Sequence, residues 1–293
     1  VRIGAVVVNY DAGPWLEACV ASLASEGVDQ VVVADNGSTD DSLVRLGAGG
    51  AGAAGAAGTG LRVLRLRRNR GYGAAANRAV EALGPGPDAV LVCNPDLVLE
   101  PGAVKSLAAA LEADPTLGIV GPRLENLDGT LYPSARSFPS LVDSLGHGFL
   151  GLVAPGNRFT RRYRMLDWDH ATARRVDWVS GACLLARRQA WDDLGGFDES
   201  FFMYLEDVDL CWRAGRLGWG VAYEPAATVA HVQGVSTGRH PYRMILAHHR
   251  SILRFAARTA EGRRRVLLPV VAAGLVARAA LACAHHRLGR PTA

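Results

Sequence analysis

Cysteine is scarce and unpaired in this chain: there are five in 293 residues, at Cys19, Cys93, Cys183, Cys211 and Cys283, and no two form a C-x-x-C pattern. An odd number, widely spaced and mostly set in apolar runs, fits reduced core thiols in a cytoplasmic protein and not a disulfide framework. Nothing near the start reads as a secretory signal. The apolar run at residues 3–8 is too brief and passes straight into Asn9 and Asp11. A strong charge imbalance is missing as well, since Lys+Arg of 32 against Asp+Glu of 28 leaves a formal +4. With no interleaving of basic and aromatic residues, no nucleic-acid partner is expected. Disorder is excluded by a hydrophobic share of 49%, and the length suits one large α/β domain with an appendage, or two small domains.

What is present is an alternation of buried strands and helices. Residues 3–8, 31–34 and 89–93 are β-branched or apolar runs, the pattern of strands covered on both faces, a further strand is expected over 61–66, and helices are expected over 14–25, just after Ser42, up to Leu83 and over 101–113. This order reads as a nucleotide-binding half of Rossmann type. Further strands are expected at 119–122, 176–186 and 221–231, and a helix at 188–194. Residues 128–175 lack a period and read as loops and short helices over a pocket, while 47–60, nearly all Gly and Ala, read as a surface insertion.

Chemistry-bearing residues collect at the strand ends. Asp35 closes the second strand and can accept hydrogen bonds from a base or ribose, and Arg70 with the backbone of Gly71 can approach phosphate. Asn94-Pro95-Asp96 closes the fourth, where oxygen-bearing side chains can hold a hard divalent cation that bridges a diphosphate; a plain Pro-capped turn is the alternative. His231 stands at the end of the 221–231 strand and can complete such a shell, better suited to Mn²⁺ or Mg²⁺ than to zinc. His248, His249, His285 and His286 read as solvated pairs. In residues 201–219, Glu206, Asp207 and Asp209 crowd one helix start, where the macrodipole favours negative charge. Asp209 faces Arg213 at i,i+4, which leaves Asp207 on another side, free to take a proton. Residues 71–76 also match G-x-G-x-x-A, so an NAD(P)-dependent oxidoreductase remains open, as does a non-catalytic sugar-nucleotide or partner-binding module.

Taken in order, VVVNYDAG from Val6, ADNGSTDDS from Ala34, NRGYGAAANRA from Asn69, NPD from Asn94, SGACLLARRQAW from Ser180, GGFDESFFMYLEDVDLCWR from Gly195 and AHVQGVS from Ala230 resemble the family 2 glycosyltransferases, in their non-processive, rhamnosyltransferase-like branch. The resemblance implies an α/β GT-A fold: a Rossmann-like mixed central sheet flanked by helices, with a C-terminal helical extension. It divides the chain into a catalytic domain over 1–240 (nucleotide half about 1–125, acceptor half about 126–240) and a helical tail over 241–293. It implies a nucleoside-diphosphate sugar, dTDP-L-rhamnose favoured, bound by Val8, Asn9, Tyr10, Asp35, Arg70, Gly71, Asn77, Asn94 and Asp96. Ser180, Gly181, Ala182 and Tyr204 would line the donor and acceptor pocket, Asp96 and His231 would hold the cation, and Asp207 would be the catalytic base with Glu206 assisting. The expected reaction inverts the anomeric carbon and moves L-rhamnose to a polyprenyl-diphosphate-linked amino sugar in cell-wall polysaccharide or linker synthesis. Asn94 stands where many relatives carry the first Asp of Asp-x-Asp, which leaves Asp96 bearing more of the site. The Gln-x-x-Arg-Trp motif of processive synthases is missing, so one sugar per encounter is expected.

Residues 266–283 are apolar over 18 positions, but Pro269 interrupts them and Arg278 would cost about 2.5–3.5 kcal/mol at a bilayer centre. With Arg263, Arg264 and Arg265 before them, and Arg278, His286, Arg287 and Arg290 following, they read as a helix lying with its cations on the cytoplasmic face of an anionic membrane, a peripheral placement. A helix packed on the core or in a homodimer is the alternative.

Overall fold

The computed structural model describes residues 1–28, 30–47, 60–138, 154, 156–234 and 241–287. Most of the Gly/Ala-rich segment, residues 139–153 of the expected pocket cover and the last two residues of the AHVQGVS motif lie outside the described residues.

Four parallel strands, β1 (Ile3–Asn9), β2 (Gln30–Asp35), β3 (Gly60–Arg65) and β4 (Ala89–Cys93), stand in the order β3-β2-β1-β4. Helices α1 (Trp15–Ser25), α2 (Ser42–Arg45) and α3 (Tyr72–Leu83) connect them. Covered on both faces, β1 sends Ala5 and Val7 into one apolar layer and Val6 and Val8 into the other. The first layer is closed by Leu16, Cys19 and Leu23 of α1 and by Leu107 and Leu111 of α4 (Ala103–Ala113); the second by Ala75, Ala76 and Ala79 of α3. Edge strand β3 is half exposed.

The second half extends this sheet. After β5 (Leu97–Leu99) and α4 come β6 (Leu117–Glu125), the short β7 (Leu131–Tyr132) and β8 (Ala135–Arg136), then α5 (Arg158–Tyr163), β9 (Arg174–Arg175) and β10 (Trp178–Val179). The chain continues through β11 (Cys183–Arg187), α6 (Arg188–Leu194), α7 (Glu206–Arg216) and β12 (Gly220–His231). β11 runs antiparallel between β4 and β6, and β12 lies parallel to β6 and antiparallel to β5, so the sheet is mixed. These directions bring the end of β12 and the start of β11 to the edge where β1, β2 and β4 finish, the edge at which open α/β sheets seat ligands.

The apolar run at 176–186, expected as one strand, is two. Ser180 N–H donates to the Ser134 carbonyl, and Gly181 N–H turns away to a carboxylate of α7, so β10 pairs with β8 in a separate ribbon before β11 joins the main sheet.

The tail also divides. α8 (Pro241–Thr259) is tied to the catalytic body: Arg258 Nη1 reaches Asp209 Oδ1 at 2.5 Å and its Nη2 meets Asp198, Ser251 Oγ donates to the Met203 carbonyl at 2.9 Å, and Phe255 is buried against Trp212. Beyond Thr259, Glu261 still meets Arg216 of α7 in an exposed ion pair at 3.3 Å. A 3₁₀ segment (Gly262–Leu267) leads into α9 (Leu268–Arg287), which packs on α8 while Val266, Val270, Val276 and Leu281 remain exposed. His249, read from sequence as solvated, is buried between α8 and α9, with Nε2 3.0 Å from Arg278 Nη1. Arg278 thus faces protein, where the sequence reading had it facing lipid headgroups.

Candidate active site

Asn9 and Asp35 are register partners at the ends of β1 and β2, so their side chains meet beyond the sheet. Asn9 Nδ2 donates to Asp35 Oδ1 at 3.0 Å, Ser38 Oγ at 3.1 Å and Ser42 Oγ at 3.0 Å, and both residues are buried. Asp11, with positive φ, accepts the Thr39 and Asp40 N–H groups at 2.6 and 3.2 Å. The loop after β2 is thereby fastened to the loop after β1. Asn36 fastens it on the other side: its Oδ1 accepts from Arg70 N–H at 2.9 Å, and its Nδ2 donates to Asn69 Oδ1 and the Gly71 carbonyl, both at 3.1 Å. Asp11, Asn36, Ser38, Ser42 and Asn69 were not singled out by sequence reasoning, although the polar run from Asp35 to Ser42 was the signal. Arg70 is exposed and lines an open cleft with Arg65, Arg67, Arg68 and Arg78. The Val8 side chain is in the core.

Gly71 decides how the G-x-G-x-x-A stretch is read. It has φ +93°, and a Cβ placed there would come within 2.4 Å of the Phe202 carbonyl oxygen, which accepts the Tyr72 N–H at 3.0 Å. A Cβ on Gly73 would stand 2.8 Å from that of Phe197. These glycines make room for residues 197–202 of the chain itself. Asn77 serves the same junction: its amide donates to the Phe197 carbonyl and accepts the Phe197 N–H, each at 2.9 Å. Those bonds fix the loop before α7 against α3.

Asn94 N–H donates to the Ala182 carbonyl at 2.7 Å, and Cys19 Sγ donates to the Asn94 carbonyl at 3.4 Å, so the backbone before Asp96 is held on both sides. Asp96 is 6% exposed, with Oδ1 3.4 Å from His231 Nε2. That is long for a hydrogen bond, and neither Asp96 Oδ1 nor His231 Nδ1 has a hydrogen-bond partner among the described residues. A buried carboxylate oxygen left bare beside an imidazole fits a divalent cation completed by oxygens from outside the protein. Among the described residues no cluster of three or more His, Cys, Asp or Glu side chains could hold a metal alone.

The acid pair reaches the neighbouring Gly181 turn from α7. Tyr204 and Leu205 both carry positive φ, 67° and 62°, unusual for side chains of this size, and they swing the chain into α7 so that Glu206 and Asp207 open the helix. Tyr204 rests edge-on against His248 of α8, with ring centroids 5.2 Å apart. Asp209 is wholly buried between Arg213 Nε, at 2.7 Å, and Arg258. Asp207 turns the other way and is partly exposed. Its Oδ2 accepts Gly181 N–H and its Oδ1 accepts Val208 N–H, both at 2.8 Å. Burial pushes the Asp207 carboxyl upward, while these two N–H groups and Arg136 favour its charged form. Tyr72 Oη donates to the Gly181 carbonyl at 2.7 Å, so the Gly181 turn is gripped from α3 and α7 alike. Ser180 Oγ accepts the Ala182 N–H at 3.3 Å, which stiffens the same turn.

Glu206 is 6% exposed and its Oε2 has no hydrogen-bond partner among the described residues. Burial first, and then the charge of Asp207, push its carboxyl up to about 8. A folded value above the unfolded one means that stability falls as pH rises: the unfolded chain ionises from about pH 4.5, and the native state keeps its proton until about 8. Glu206→Gln removes that penalty. At pH 8 the variant is expected to melt several degrees above the parent, corresponding to about 2–3 kcal/mol, with the gap closing toward pH 4.5. A melting difference that does not change with pH would count against a protonated Glu206.

An α/β sheet of this order, with amides, acids and a histidine gathered on its carboxyl edge, has the GT-A architecture. The sequence pattern of "Glycosyltransferase like family 2" matches residues 2–250, and the chain belongs to that family. It is 41% identical over 263 residues to the N-acetylglucosaminyl-diphospho-decaprenol L-rhamnosyltransferase of Mycobacterium tuberculosis (strain ATCC 25618 / H37Rv), covering 86% of this chain and 83% of that one. It is 28% identical over 197 residues to rhamnosyltransferase WbbL of Escherichia coli (strain K12), covering 64% of this chain and 70% of that one. Among solved structures, the mannosyltransferase PcManGT of Pyrobaculum calidifontis, in complex with GDP-Man and Mn²⁺, superposes with a TM-score of 0.59 at 16% identity over 99% of this chain and 76% of its own. That likeness is one of fold.

Proposed function

We propose that this glycosyltransferase moves L-rhamnose from dTDP-L-rhamnose to an amino sugar carried on a polyprenyl diphosphate, with inversion, in the building of cell-wall polysaccharide. The observation that carries this reading is Asp207, a partly exposed carboxylate whose two oxygens each accept a backbone N–H and whose partner Gly181 adjoins the residue bonded to Asn94. A base so fixed takes the proton of an acceptor hydroxyl as that oxygen attacks the anomeric carbon. Protonated Glu206 beside it adds no second negative charge and leaves Asp207 to ionise first. Asp35, Asn36 and Arg70 lie where the nucleoside would rest. Asp96 and His231 would hold Mn²⁺ or Mg²⁺, which when bound offsets charge on a departing diphosphate. The rhamnosyl group and the acceptor class are taken from the name of the relative at 41% identity, an N-acetylglucosaminyl-diphospho-decaprenol L-rhamnosyltransferase, and the dTDP carrier from the family resemblance.

The test is transfer of labelled sugar to a synthetic N-acetylglucosaminyl-diphosphate lipid, from dTDP-rhamnose, UDP-N-acetylglucosamine and GDP-mannose in parallel. Transfer from dTDP-rhamnose alone, with the opposite anomeric configuration in the product, is expected. Preference for another donor, or retention, overturns the reading.

Peripheral binding to the cytoplasmic face of the membrane belongs to this proposal. The segment Gly262–Arg287 is long and apolar enough to cross a bilayer, with mean hydropathy 2.2, yet only 11% of its apolar window is buried. Pro269, Val270, Ala273, Val276, Ala277, Ala280, Leu281 and Ala284 form one exposed stripe at helical spacing, and Arg263, Arg264 and Arg265 precede it. An apolar stripe behind three exposed cations suits an anionic lipid surface, at about 1 kcal/mol per arginine near the headgroups. A Val270→Glu, Val276→Glu double variant should partition onto phosphatidylglycerol vesicles at least tenfold less than the parent. Equal partition would remove the membrane assignment, and a parent that sediments as a dimer broken by the same changes would replace it with a homodimer.

A further inference from the structure

Two arginines of the second half lie on adjoining segments: Arg164 directly follows Tyr163, whose carbonyl accepts the Ser137 N–H at 3.3 Å and whose ring stands beside the Arg136 guanidinium. Arg136, in β8, is half-buried in an aromatic cage, its guanidinium carbon 5.1 Å from the Trp178 ring centroid, 5.6 Å from that of Tyr132 and 5.7 Å from that of Tyr163. Its Nε donates to the Pro133 carbonyl at 2.8 Å and its Nη2 to Tyr132 Oη at 3.2 Å. Arg164 caps α5, also half-buried, and its Nε is buried without a hydrogen-bond partner among the described residues. Burial, and then the like charge of Arg136, push the Arg164 guanidinium down from its usual value. Burial also opposes the charge of Arg136, but the surrounding Tyr132, Tyr163 and Asp207 more than compensate. Among the described residues neither arginine has a carboxylate within ion-pair distance.

Two like charges half-withdrawn from water beside each other are costly unless an anion joins them, and guanidinium forks are shaped for phosphate oxygens. Neutralisation by Asp207 is not enough, since that carboxylate already accepts Gly181 and Val208 and counts once against two cations. Tyr132 ties the pair to the rest of the site: its hydroxyl accepts a hydrogen bond from Arg136 Nη2, and its ring meets the His231 imidazole edge-on with centroids 5.8 Å apart. The arginines therefore continue the sequence Asp96, His231, Tyr132 away from the nucleotide half. A lipid-diphosphate acceptor must bring its own negative charge towards Asp96, Glu206 and Asp207, and a pair of cations would offset that repulsion.

We propose that Arg136 and Arg164 bind a diphosphate, that of the lipid-linked acceptor, and so place the acceptor sugar with its hydroxyl at Asp207. This rests on the acceptor class proposed above. Two measurements on the full chain test it. The first compares kcat/KM for the N-acetylglucosaminyl-diphosphate lipid with kcat/KM for an alkyl N-acetylglucosaminide that lacks the diphosphate; in Arg164→Gln the ratio is expected to fall at least tenfold, chiefly through KM of the diphosphate acceptor. The second is calorimetric binding of farnesyl diphosphate in the presence of saturating dTDP, expected to weaken at least tenfold in Arg164→Gln and in Arg136→Lys, which keeps the charge and loses the fork.

An unchanged ratio with unchanged farnesyl diphosphate affinity makes the pair structural and overturns the proposal. So does an equal loss of affinity for dTDP itself, which would assign the diphosphate to the donor. Should the parent transfer sugar to neither acceptor, the function proposed above fails, while the binding measurement still decides what the arginines hold.

Discussion

An Asp207→Asn variant is expected to bind nucleotide sugar as the parent does and to lose about 10³–10⁴ in turnover. The amide has the size of the carboxylate but cannot take a proton at neutral pH. A structural cost comes with the change and has to be separated from the chemical one. Asp207 accepts an N–H at each oxygen, from Gly181 at Oδ2 and from Val208 at Oδ1, and an asparagine has one oxygen to offer. One of those N–H groups would then face an NH₂, worth about 1–3 kcal/mol of stability at a buried position. A melting curve on the same sample measures that part, and single-turnover rate under saturating donor measures the rest. Asp207→Glu is no milder, because the Asp207 Cβ already stands 3.0 Å from where a Cβ on Gly181 would be, and a longer side chain has to leave the turn. Near-parent turnover in a folded Asp207→Asn would move the base elsewhere.

The acid pair also shows how far the sequence carried. Three carboxylates at a helix start were legible, as was the separation of Asp209 from Asp207, because helical periodicity fixes which faces they occupy. What distinguishes Glu206 from Asp207 was not legible. It depends on residues distant in the chain: Gly181, 26 positions before Asp207, gives it a hydrogen bond, whereas Glu206 is buried with an oxygen unmet. The same limit applies to the tail. Composition showed residues 241–293 as helical but could not divide them, since the division rests on long-range contacts of α8: Arg258 with Asp209 and Asp198, Ser251 with the Met203 carbonyl, and Phe255 with Trp212. Strands β1, β2 and β4 came through nearly residue for residue because each is buried on both faces and so spells itself out in continuous apolar letters. The run at 176–186 misled for the converse reason. Its break at Ser180 and Gly181 is made by hydrogen bonds to Ser134 and Asp207, and local composition carries no trace of either.

Loss of Asp96 should remove the part of nucleotide affinity that depends on the cation. In calorimetry with dTDP, the parent is expected to bind more tightly with Mn²⁺ than without it by about 10–100-fold, and Asp96→Ala to bind equally in both conditions. The reasoning turns on what Asp96 does in the protein alone. It is 6% exposed, its Oδ1 lacks a hydrogen-bond partner among the described residues, and His231 Nε2 stands 3.4 Å away, too far for a strong bond. A carboxylate kept so nearly dry and so poorly paired costs stability. Its removal should therefore leave the fold intact or raise the melting temperature slightly in the absence of cation, while transfer activity falls at least a hundredfold. That combination, a fold no weaker and a cation effect abolished, separates a ligand from a structural acid. A structural Asp96 would show the opposite pair of results, a protein that melts several degrees lower and a surviving Mn²⁺ effect on dTDP. His231→Ala should follow Asp96→Ala in direction with a smaller loss, because the imidazole shares the shell without supplying negative charge.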